Sequence, residues 1–88
     1  MIPHTQGMQR LELKHEGQTA FLTYTMESET LSIWHVETPF ALRGRGLGGK
    51  LVENARALAD ENGLKLHPVC PFARAHLARN PRASSEKE

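Results

Sequence analysis

The 88-residue chain is short of several things, and each shortage narrows what it can be. Its one cysteine, Cys70, excludes an internal disulfide and fits a reducing compartment. No apolar run approaches the length of a membrane-spanning helix, so no membrane role is expected. The opening residues MIPHTQGMQR show neither the apolar core of a signal peptide nor a myristoylation glycine, and a cytoplasmic location is the expectation. Charge of one sign is scarce as well: 11 Lys and Arg stand against 10 Asp and Glu, a net charge of +1. That is far from the basic excess of a general nucleic-acid binder, so no nucleic-acid partner is expected. No His or Cys spacing makes a metal site, and there is no internal repeat. A chain this short buries only roughly 60 to 65% of the surface that its unfolded form exposes, which leaves room for one thin core. A monomer or a weak homodimer is expected, in which a ligand or a partner adds usefully to stability.

What is present reads as one α/β domain over residues 10–80, between a flexible N-terminus at 1–9 and a flexible tail at 81–88. "RLELKHE" alternates around Leu11 and Leu13, Gly17 breaks it, and "TAFLTYTME" follows, which predicts a hairpin. "LSIWHVET" is apolar on both faces at Ile33, Trp34 and Val36, as in an interior strand with Trp34 in the core, and Pro39 ends it. From Leu47 the period changes. Leu47, Leu51, Ala55 and Leu58 recur at helical spacing, widened by Val52 and Ala59, while Lys50, Glu53, Asn54, Arg56 and Asp60 take the wet side. The helix runs about 16 residues, roughly 24 Å, to a C-cap signal at Gly63. "LKLHPVC" predicts a fourth strand, and "PFARAHLARN" a short helix with Pro71 at its first position. Phe72, Ala73, His76 and Leu77 form that helix's apolar face. The expected order is β-β-β-α-β-α, with a right-handed crossover that makes the last two strands parallel.

The crossover opens on "RGRGLGGK", residues 43–50, at the N-terminus of the long helix. Free backbone N–H groups and the helix dipole make that place an anion site whatever the anion is. The stretch fits more than one phosphate template. As G-x-x-x-x-G-K it needs a Ser or Thr next, to hold magnesium, and the chain supplies Leu51 of the buried stripe. As G-x-G-x-x-G it needs an acidic residue at the end of the following strand, which instead reads His67, Pro68, Val69, Cys70. As R-x-x-G-x-G, through Arg43, Gly46 and Gly48, it asks only for the strands that precede it and the helix and parallel strand that follow.

On "HVETPFALRGRGLGGKLVENA", joined one helix later to "LHPVCPFARAHLARNP", the chain resembles the GNAT superfamily of N-acetyltransferases, and most its small single-domain members. The resemblance covers roughly residues 10–81 and implies a GNAT-like fold, acetyl-CoA as cofactor, and transfer of acetyl to an amine acceptor. It further implies that the backbone of Val36, Glu37 and Thr38 pairs with the pantetheine arm. The loop of Arg43, Gly44, Arg45, Gly46, Leu47, Gly48 and Gly49 would then hold the pyrophosphate. Physically, glycine lets main chain approach phosphate oxygens, and the two arginines add charge-assisted donors.

Cys70 ends the fourth strand and caps the last helix, where the dipole favours a thiolate; His67 and Arg74 lie near it in sequence. The matching cysteine of the small GNAT-like proteins is proposed to take part in transfer, so Cys70 is the candidate catalytic residue, against the plain alternative of a small buried hydrophobe. A direct route needs only a positioned amine and a base, for which His35 and Glu37 are candidates. The one tyrosine, Tyr24, lies in an early strand, so the tyrosine acid of larger GNAT enzymes has no counterpart. Two alternatives to the enzyme stand: a non-catalytic acyl-CoA-binding or interaction module, and a thiol-redox sensor centred on Cys70.

Overall fold

A computed structural model describes residues 8–80. The ends expected to be flexible lie outside the described residues at 1–7 and 81–88, while Gln9 already belongs to the first strand. Strands β1 (Gln9–His15), β2 (Gln18–Glu27) and β3 (Thr30–Glu37) form an antiparallel meander. The turn between β1 and β2 is Glu16–Gly17 with φ of 53° and 79°, the left-handed pair that suits the twist of a two-residue hairpin. A 3-10 turn (Phe40–Leu42) leads into helix α1 (Leu47–Glu61), then strand β4 (Lys65–Pro68) and helix α2 (Pro71–Arg79). The sheet order is β1-β2-β3-β4, with β4 parallel to β3. The fold is thus the GNAT-like β-β-β-α-β-α arrangement.

Local chemistry explains where α1 stops. Asn62 is the C-cap and Gly63 follows at φ 67°. Leu64 N–H donates to Ala59 O at 2.8 Å and Gly63 N–H to Asp60 O at 3.2 Å, the paired bonds of a Schellman end. The stripe Leu51, Val52, Ala55 and Ala59 is buried against Leu22, Leu31 and Ile33 of the sheet, and Ala73 of α2 joins the same core.

Three expectations are corrected. Trp34 is 45% exposed rather than core. Opposite β2, Thr23 faces His35 and Tyr24 faces Ile33, so Trp34 is an extra residue, a bulge. The bulge moves the inward position from 35 to 36: Val36 packs against the core, while Trp34 and His35 stay exposed. Trp34 Nε1–H donates to Thr25 Oγ1 at 2.9 Å, which satisfies its polar end. Arg56, expected on the wet side, is only 8% exposed. Its guanidinium reaches Asn80 O at 2.9 Å, at the end of α2, which lies over this flank of α1. The fourth strand is shorter than expected, ending at Pro68 rather than Cys70. Pro68 has no N–H to continue a ladder, and Val69 and Cys70 instead both donate to Ile33 O at 3.0 Å.

Candidate functional site

That short pairing creates the site. β4 pairs with residues 30–33 of β3 and then turns into α2, so among the described residues no strand lies beside this edge of β3 beyond Ile33. Between this edge and the start of α1 lies a cleft of about 400 Å³. Val36, Glu37 and Thr38 form one wall. Leu42, Arg43 and Gly44 form the next, from the 3-10 turn and the loop after it. Gly46, Leu47, Gly48 and Gly49 form the third, and Phe72 of α2 closes it.

The loop's geometry suits an anion. Gly44 and Gly46 take φ of 87° and 76°, which a residue with a Cβ adopts only under strain. Gly46 is the N-cap of α1 and has no side chain to satisfy the helix's first amides; Lys50 N–H closes on Gly46 O at 3.0 Å. Among the described residues, the N–H groups of Leu47, Gly48 and Gly49 have no protein acceptor. They are the orphan donors of the helix end, at its positive pole.

Gly48 and Gly49 are small for a different reason from the one their motif suggests. A Cβ on Gly48 would lie 2.9 Å from Phe72 Cζ, and one on Gly49 would lie 2.8 Å from His76 Cε1. They let α2 press against the first turn of α1. Phe72 and His76 stack at 6.4 Å with 20° between their planes, and His76 Nε2 lies 2.8 Å from Glu53 Oε2.

The two arginines divide. Arg43 lines the cleft, its Nε–H donating to Thr38 O at 3.5 Å. Arg45 turns away: its guanidinium lies 3.7 Å from Glu16 and 3.3 Å from His15 Nε2, on the β1–β2 hairpin. Its side chain does not line the cleft, although its backbone remains part of the loop. Cys70 is the N-cap of α2 but only 7% exposed, within the core cluster and outside the cleft lining. Its N–H donates to Ile33 O at 3.0 Å, three residues before Val36 of the cleft wall. Arg74 Nη2–H donates to Val69 O at 3.3 Å beside it. Glu37, in the cleft wall, has its Oε1 2.8 Å from His35 Nε2. Among the described residues, no three His, Cys, Asp or Glu side chains converge as metal ligands, and no helix is long and apolar enough to cross a membrane.

Phe72 and Leu42 are cleft residues that the sequence reading did not single out; Phe72 was assigned to an apolar helix face, yet it is 44% exposed.

The family model for GCN5-related N-acetyltransferases matches residues 10–86. The chain belongs to that family. It is also similar to Protein NATD1 of Xenopus tropicalis, 34% identical over 83 residues that take in 91% of this chain and 76% of that protein. A GCN5-related domain is therefore the frame in which the cleft, the unbonded amides and the buried thiol are to be read, and the family makes an acyltransferase the coarse function.

Proposed function

We propose that the cleft binds acetyl-CoA and that the domain transfers its acetyl group to an amine. One observation carries the reading: three orphan amides at a helix N-terminus open into a cleft whose opposite wall is an unpaired strand edge. The amides of Leu47, Gly48 and Gly49 suit a pyrophosphate, with Arg43 adding charge. Backbone groups of Val36, Glu37 and Thr38 suit the amides of an extended arm, as an added strand would. Val36, Leu42, Leu47 and Phe72 supply an apolar lining for the arm and the thioester to pack against.

Acetyl-CoA supplies an activated acyl carbon, at which a C–N bond to the amine forms as the C–S bond breaks and the thiol leaves. The chain's own task is to orient the thioester, exclude water and accept the amine's proton. The Glu37–His35 pair is the proton acceptor at the cleft wall. Burial of Cys70 among core side chains favours the direct route over an acetylated cysteine. A reducing, cytoplasmic setting suits that free thiol.

Calorimetry tests the binding. Arg43→Gln weakens acetyl-CoA about tenfold, the value of one charge-assisted bond. Absence of any binding by the unaltered chain at millimolar ligand overturns the reading. Release of free thiol with a panel of amines separates an enzyme from an acyl-CoA-binding module, which binds without release. Cys70→Ala retains release if transfer is direct, and intact mass then finds no acetyl group on the protein.

A further inference from the structure

The coenzyme reading gives the backbone of the loop a task and leaves the Arg45 side chain without one. Its neighbours on both sides, Gly44 and Gly46, are left-handed at φ of 87° and 76°, so the chain around it is built from the least restrained residue type. Main-chain bonds hold the loop only at its ends. Arg43 N–H donates to Phe40 O and Lys50 N–H to Gly46 O, but among the described residues Gly44 and Arg45 make no main-chain hydrogen bond. The tie comes from the Arg45 side chain, which reaches 30 positions back to the β1–β2 turn. Its Nη1 lies 3.3 Å from His15 Nε2, and since a guanidinium can only donate, the imidazole accepts. Its Nη2 lies 3.7 Å from Glu16 Oε1.

The turn is strained in a way that its own stability does not explain. Glu16 stands at φ 53°, in the first place of the two-residue turn, where glycine, asparagine and aspartate sit with least strain. An ion pair between two half-exposed side chains returns less than the left-handed backbone costs a glutamate. Asparagine would make the better hairpin, but it is uncharged and one methylene shorter, and it would let Arg45 go. Strain kept beside a binding loop marks a part that serves the loop.

We propose that Glu16 and His15 hold Arg45 as a strut, so that Arg45 positions the loop and the amides of Leu47, Gly48 and Gly49 for the diphosphate without touching it. This role rests on the coenzyme reading of the cleft, and the test separates the two. Calorimetry with acetyl-CoA and thermal melts are run on the full chain and three variants. Glu16→Asn relieves the turn and raises Tm by roughly 2–5 °C. It also frees the loop and weakens acetyl-CoA about threefold. Arg45→Gln weakens acetyl-CoA by a similar factor, and in the double variant the two losses do not multiply. A Tm that falls together with affinity in Glu16→Asn assigns the pair to stability alone and overturns the proposal. Tighter binding by Glu16→Asn means that a released Arg45 grips the diphosphate itself, which overturns it as well. Unchanged affinity in that variant, or losses that multiply in the double variant, also overturns the strut and leaves the coenzyme reading intact. Failure of the unaltered chain to bind acetyl-CoA overturns the coenzyme reading and the strut with it.

Discussion

Replacing Gly49 by alanine should destabilise the protein, although alanine is the better helix former. The new Cβ would lie 2.8 Å from His76 Cε1 and 3.0 Å from Nδ1. The ring is not free to swing aside, since its Nε2 holds Glu53 at 2.8 Å and Phe72 stacks on its face. Forcing atoms into such a contact costs about 1 to 3 kcal/mol. The helix-propensity gain of alanine over glycine offsets at most about 1 kcal/mol. The net cost is about 1 to 2 kcal/mol, a fall in Tm of roughly 5–10 °C for a domain of this size. In a His76→Ala background the obstacle is gone, and the same Gly49→Ala change should stabilise by up to about 1 kcal/mol. The sign reverses, and the double-mutant cycle returns a coupling of about 2 kcal/mol. Urea denaturation of the four proteins, followed by far-UV circular dichroism, measures it. An equal effect of Gly49→Ala in both backgrounds would refute the account of why α1 begins with glycines.

Gly46→Ala should cost about 1 kcal/mol by torsion alone, because φ is 76° and nothing lies within 4 Å of the added carbon. Gly46→Asn should recover about half of that, asparagine being tolerant of the left-handed region; equal losses in denaturant melts would point to a steric cause instead. Arg56→Met should change stability by less than about 1 kcal/mol, since it keeps the packed stem and removes a buried guanidinium whose Nε has no partner. Arg56→Ala should cost about 2 kcal/mol through the lost stem, and an equal cost for both variants would place the energy in the ion pair with Glu53.

The elements were legible because their signals are local. The change from period two to period 3.6 at Leu47, the left-handed glycine after Asn62 and the proline that opens α2 each depend on neighbours within a turn. The cleft was legible for the same reason, its loop and the adjacent strand end being contiguous in the chain. What the sequence hid depends on partners far along it. Trp34 is exposed because, among the described residues, nothing covers the side of the sheet opposite Ile33, and no residue near it announces the bulge. Arg56 is buried because the carbonyl of Asn80 meets it from 24 positions away. Gly48 and Gly49 carried a motif's signature, while the pressure on them comes from Phe72 and His76. The sequence left Cys70 between a catalytic thiol and a small buried hydrophobe, since a strand end and a core position look alike until β4 stops at Pro68.

The early parting of β3 and β4 sets a competition within the backbone. A longer β4 would take the main-chain groups of β3 beyond Ile33, and Pro68 and Pro71 decide against it, which leaves them to the guest proposed above. Lengthening the segment between those prolines would let the sheet zip onward and seal the opening. Such an insertion would leave the fold better hydrogen-bonded and the cleft closed, so the existence of this opening depends on the sheet remaining incomplete.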